Sequence, residues 1–196
     1  MAVAQRMTDE TYQHFVLSGI EGRWELHDGR LVEKPGVSWE HGDIAMFLGH
    51  LLQSQLDRTE YRVSSEWRVR RPTATVFIPD LVVVATGYGR ELRGRPGTLA
   101  IFSAPLPLVV EVWSRSTGDY DVDAKVPIYQ QRGDREIWRI HPYERTITSW
   151  QRQPDGSYVE ALHRDGIVRP VALPGVELNL DELFDDGDKR VVSRTS

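Results

Sequence analysis

The sequence predicts a single mixed α/β domain built around a central sheet. Three observations carry that expectation. Two short apolar runs, Leu81-Val82-Val83-Val84 and Leu108-Val109-Val110-Glu111-Val112, have the length of strands buried on both faces. An Asp28-Gly29 pair separates two alternating segments and marks a tight hairpin. Helical periodicity follows that hairpin, with Ile44, Leu48, Leu51 and Leu52 on one stripe. The order helix, hairpin, helix, strands, helix, strands then gives a sheet with helices packed on it.

Taken in order, Thr8 is positioned to cap a helix over Asp9–Leu17, with Asp9 and Glu10 in its first turn and Gly19 as a stop. Arg23–His27 and Arg30–Glu33 form the hairpin strands, with Glu25 and His27 on the face opposite Trp24 and Leu26. Ser38 caps a second helix ending near Leu56. Tyr61–Arg70 reads as one strand, and Val76–Ala85 contains another that carries Pro79-Asp80. The Gly- and Arg-rich stretch Thr86–Thr98 reads as a mobile loop. Pro107–Trp113 is the second buried strand. Asp121–Gln131 is helical, kinked or begun by Pro127 and stopped by Gly133. Glu136–Ile140, Thr146–Gln151 and Tyr158–His163 are three strands, the last two joined by a turn at Pro154-Asp155-Gly156. The expected organisation is a disordered start at 1–7, one domain over 8–184 and a flexible tail at 185–196.

Composition excludes several classes. The 196 residues contain no cysteine, so disulfides, thiolate metal sites and a cysteine nucleophile are ruled out. No apolar run reaches the ~20 residues that span a bilayer, and Met1–Glu10 does not resemble a signal peptide, so a cytoplasmic location without membrane contact is expected. A formal net charge of −5 argues against a general nucleic-acid coat. It is compatible with a carboxylate cluster that is negative until a cation arrives. There is no P-loop, no GxGxxG, no zinc-finger spacing and no hydrolase triad order.

The chemistry-bearing feature is acid inside apolar strands: Asp80 opens Leu-Val-Val-Val, and Glu111 interrupts Leu-Val-Val-Glu-Val-Trp. A buried carboxylate requires a cation, an arginine or several hydrogen bonds. Such an acid serves either a structural ion pair or a metal site. Lys125, beyond a polar turn, is either a solvated helix lysine or a partner of these acids.

These segments also resemble a known family. Gly22-Arg23-Trp24-Glu25-Leu26-His27-Asp28-Gly29-Arg30-Leu31-Val32, the Pro79-Asp80 strand, the Glu111 strand with Ser114-Arg115-Ser116, and the Asp121, Lys125, Tyr129 spacing are similar to the Uma-type family of putative restriction endonucleases. Gly133, Trp138 and His141-Pro142 extend the likeness, which covers about Thr8 to Leu183. The family falls within the PD-(D/E)XK nuclease superfamily, so the resemblance implies a restriction-endonuclease-like mixed sheet flanked by helices. It further implies a metal-dependent DNA endonuclease with catalytic Glu25, Asp80, Glu111 and Lys125. Asp80, Glu111 and Glu25 would hold Mg²⁺ or Mn²⁺. Trp113 stands where the superfamily's usual lysine lies, two residues after the second acid, and Lys125 is the replacement. His41 and Asp121 are accessory candidates, although a structural or exposed role is favoured for His41. Tyr129 is expected to pack. Arg90, Arg93 and Arg95 are candidate DNA contacts, and Arg68, Arg70 and Arg71 read as a charged strand. DNA is the expected partner and a homodimer the expected assembly. A nuclease-like fold that only binds nucleic acid or protein is the alternative, and a small-molecule phosphoesterase a third.

Overall fold

A computed structural model describes residues 6–71, 74–115 and 124–185. The expected disordered start and tail fall largely on residues 1–5 and 186–196, outside the described residues, as does Asp121.

Helix α1 spans Asp9–Leu17, and the Thr8 hydroxyl accepts from Thr11 N at 3.2 Å, as the capping pattern predicts. Strands β1 (Trp24–His27) and β2 (Arg30–Glu33) pair antiparallel, Glu25 opposite Val32. Both turn residues are left-handed, Asp28 at φ 46° and Gly29 at φ 78°, the geometry an Asp-Gly hairpin turn requires. Helix α2 spans Trp39–Gln55 and is capped by Ser38.

Where the sequence suggests single strands, the chain breaks twice. Tyr61–Arg70 divides into β3 (Tyr61–Ser64) and β4 (Arg68–Arg71), and Val76–Ala85 into β5 (Thr75–Phe77) and β6 (Leu81–Ala85). Each break carries the chain from one sheet to another. At the second, Pro79 has no N–H to give to a ladder, which favours ending a strand there. Part of the loop expected over Thr86–Thr98 is a 3-10 turn at Thr86–Leu92, followed by β7 (Ile101–Phe102). Strand β8 is Leu108–Val112, α3 is Val126–Arg132, and β9 (Glu136–His141), β10 (Thr146–Arg152) and β11 (Tyr158–His163) form the expected meander. A small ladder of β12 (Ile167–Val168) with β13 (Leu178–Asn179) and the short α4 (Leu180–Leu183) complete the described chain.

Two mixed sheets result, ordered β2-β1-β5-β4-β7 and β11-β10-β9-β8-β6-β3. Strands β8 and β9 run parallel, which demands a crossover, and α3 lies on it. The apolar runs of β6 and β8 alternate between two cores. Leu81, Val83, Leu108 and Val110 meet Ile44, Leu48 and Leu52 of α2. Val82, Val84 and Val109 meet Tyr129 of α3 and Phe77 from the other sheet. Helix α2 lies so close to β6 that a Cβ on Gly49 would stand 3.3 Å from Leu81 Cδ1. Arg132 ties the layers together. It pairs with Asp134 at 2.9 Å and donates to the carbonyls of Arg70, Phe102 and Ala104.

Candidate active site at the junction of the two sheets

The crossing from β5 to β6 places Asp80 at the seam between the sheets. Continuing the β6–β8 register by one residue beyond Leu81 opposite Val110 sets Asp80 across from Glu111. Glu25 reaches the same seam from β1, where its Oε1 accepts from Ile78 N at 2.8 Å and so holds the crossing segment. All three acids are buried, at 2 to 4 % exposure.

Two ammonium groups neutralise most of this charge. Lys125 Nζ lies 3.2 Å from Glu25 Oε1 and 3.2 Å from Glu111 Oε1, and 5.7 Å from the centre of the Phe77 ring. Lys34 Nζ donates to Asp80 Oδ1 at 2.7 Å and to the Ile78 carbonyl at 2.6 Å, and stands 3.9 Å from Glu111 Oε2. Among the described residues, these three carboxylates against two lysines leave one negative charge before His41 is considered. Burial pushes the Asp80 carboxyl upward, but the Lys34 ammonium and the His41 ring outweigh it and hold Asp80 well below the ordinary carboxylate range.

Hydrogen bonds fix the acids in place. Asp80 Oδ2 accepts from Val112 N at 2.8 Å and pairs with His41 Nε2 at 3.0 Å. Tyr129 OH donates to Glu111 Oε1 at 2.5 Å. His41 is therefore buried against an acid rather than exposed, and Tyr129 contributes a polar contact besides packing.

Glu25, Asp80, Glu111 and Lys125, four residues expected from the motifs, thus meet in one place. Lys34 is not among the expected residues, yet the hairpin contains the signal for it. Val32 sits opposite Glu25 and shares its face, so Lys34, two residues on, points the same way. Trp113 does not supply an ammonium group; it stacks on His141 at 4.4 Å and meets Tyr143 edge-on. The arginines sort differently. Arg90, Arg93 and Arg95 follow β6 in the chain, and Arg93 lines a pocket with Val84, Ala85 and Phe102 at the end of β6 opposite Asp80. Arg68, Arg70 and Arg71 are engaged with Tyr12, Ser103, Asp9, Asp28 and Gln131.

A groove of about 640 Å³ opens beside Asp80 and His41, bordered by Arg23, Gly42, Met46 and His50. Nearer the acids, a cavity of about 10 Å³ lies among Lys34, His41, Asp80, Glu111 and Ser114. Among the described residues, no group of three or more His, Cys, Asp or Glu side chains is arranged to hold a metal ion as it stands. The oxygens around Lys34 Nζ nevertheless suit a hard cation in kind. They come from a carboxylate, a second carboxylate and a backbone carbonyl, and the ammonium is itself a stand-in for such an ion.

The mixed α/β fold, with helices on multi-strand sheets and an N-terminal helix and hairpin, is nuclease-like. The chain belongs to the Uma2 family, described as putative restriction endonuclease, whose model matches residues 9–181. Its fold is similar to the crystal structure of a putative nuclease belonging to DUF820 from Anabaena variabilis, with a TM-score of 0.71 and 19 % identity over 88 % of this chain and 96 % of that one. No significant match was found among curated proteins. Among the described residues, no helix is long and apolar enough to cross a membrane.

Proposed function

We propose that the chain is a divalent-metal-dependent endonuclease that hydrolyses phosphodiester bonds in DNA. The observation that carries this reading is the convergence of Glu25, Asp80, Glu111 and Lys125 from four separate segments into one buried cluster, of which Asp80 lines a groove. Asp80 and Glu111 would hold Mg²⁺ or Mn²⁺, with Glu25 completing the acidic set. The ion supplies a water of lowered pKa and neutralises charge on the scissile phosphate.

The remaining work falls to the protein. The Val112 N–H and His41 orient Asp80, and Tyr129 orients Glu111, so neither acid must reorganise to meet a cation. Lys125 places a fixed positive charge beside the acids, where it stabilises negative charge developing on the phosphate oxygens. Low solvent access strengthens each of these terms. A homodimer would provide two such sites, one for each strand of a duplex, and β11 at the end of the larger sheet carries exposed Val159 and Leu162 that suit a contact.

Nicking of supercoiled plasmid in Mg²⁺ or Mn²⁺ tests the reading. The native chain is expected to nick, and Asp80→Ala and Glu111→Ala to lose at least ~100-fold of that activity, the scale of losing an electrostatic contact to the transition state. Native protein that neither nicks plasmid nor cuts linear DNA in either metal overturns it and leaves a binding module.

A further inference from the structure

We propose that Lys34 is a built-in cation that closes the carboxylate site, and that a divalent ion enters only by displacing it. This rests on the metal-dependent reading above. The Lys34 side chain is 5 % exposed, and its ammonium lies between Asp80 and Glu111, the two acids assigned to the ion. Its contacts to Asp80 Oδ1 and the Ile78 carbonyl, at 2.7 and 2.6 Å, use the oxygens that face the shared position.

Mg²⁺ needs close to octahedral coordination with ligands at ~2.1 Å and keeps several waters. The cavity beside Lys34, about 10 Å³, holds roughly one water. The ammonium already stands between Asp80 and Glu111, and a second cation brought there would be repelled by it. The backbone of Lys34 is anchored, because its N–H donates to the Arg23 carbonyl at 2.6 Å beyond the end of the hairpin ladder. The flexible four-carbon stem can still swing away without moving that backbone. Lys125 differs: it pairs with Glu25 and Glu111 on the side of α3, and nothing requires it to leave.

The test measures ion binding and lysine exposure without reference to cleavage. Mn²⁺ titration by calorimetry would compare the native chain with Lys34→Met and Lys34→Gln. Both variants are expected to bind at least ~10-fold more tightly than the native chain. Each should also melt lower than native in EDTA and gain more in melting temperature from Mn²⁺. Adding Asp80→Asn to Lys34→Met should abolish the gain, which locates the ion.

If neither variant folds, the native chain gives the answer through amine acylation read by mass spectrometry. Labelling of Lys34 should rise several-fold with Mn²⁺ while Lys125 stays protected. Variants that bind Mn²⁺ no more tightly than native, or a Lys34 whose labelling Mn²⁺ leaves unchanged, overturn the proposal. The two readings fail separately. Plasmid nicking with unchanged Mn²⁺ affinity in Lys34→Met sinks the displaced lysine and keeps the nuclease. Tighter Mn²⁺ binding with no nicking does the reverse.

Discussion

Replacing Lys125 by methionine removes an ammonium group that two buried carboxylates share at 3.2 Å each, in a side chain only 2 % exposed. Methionine keeps most of the volume over Phe77, so the change is chiefly one of charge. Glu25 and Glu111 would then lose an ammonium they share in a buried site, while Lys34 stays 3.9 Å from the far Glu111 oxygen. Removing one partner of a buried pair costs about 3–5 kcal/mol. For a domain of this size each kcal/mol corresponds to ~2–4 °C, so melting should fall by about 6–20 °C. Urea unfolding followed by tryptophan fluorescence, in EDTA at pH 7, gives the free energy, and the six tryptophans provide signal. Glu25→Gln in the same chain should recover part of the loss, since its amide oxygen still accepts from Ile78 N while one negative charge is gone. A cost below ~1 kcal/mol for Lys125→Met, the range of an exposed pair, would refute the buried cluster. So would additive behaviour of the two changes, because groups in contact must couple.

Two further predictions concern the frame that holds the site. Gly29→Ala should cost at least ~1–2 kcal/mol for the left-handed conformation alone. It should cost more than Gly94→Ala, because a Cβ at Gly29 would lie 2.6 Å from Arg6 Cβ whereas Gly94 has nothing within 4 Å; equal thermal shifts would contradict the packing of the chain start on the hairpin. Burial raises the Glu136 carboxyl above its ordinary 4.5, despite hydrogen bonds from Trp138 and Ala172. Its contribution to stability is therefore fully present below pH 4.5 and is lost as pH rises through the raised folded value. Glu136→Gln should gain on the native chain over that interval in urea titrations, and a pH-independent difference would show that the carboxyl titrates normally.

Much of the frame is legible in the chain itself. Thr8 and Ser38 act as caps, Asp28-Gly29 makes its turn, and the runs at Leu81 and Leu108 are buried on both faces, because each signal concerns hydrogen bonds or burial within a few residues. Acid within an apolar run is likewise visible locally, and Asp80 and Glu111 follow from it. The residue nearest to being legible and left out is Lys34, since the hairpin register alone puts it on the face of Glu25. What that register lacks is the identity of whatever stands opposite.

Tertiary structure decided the rest. The strand breaks at Ser65 and Pro79 mark passages between sheets, and a hydrophobic pattern reads the same whichever sheet a segment joins. The pairing of His41 with Asp80 spans 39 residues and that of Tyr129 with Glu111 spans 18, so neither follows from local periodicity. The placement of Arg93 is settled by the direction of β6, which carries the chain away from Asp80 to the pocket that Arg93 lines. Composition and period determine which residues are buried and what secondary structure they take. Only the packing of two sheets against each other determines which buried charges meet, because a charge in the interior persists only where folding brings it a partner.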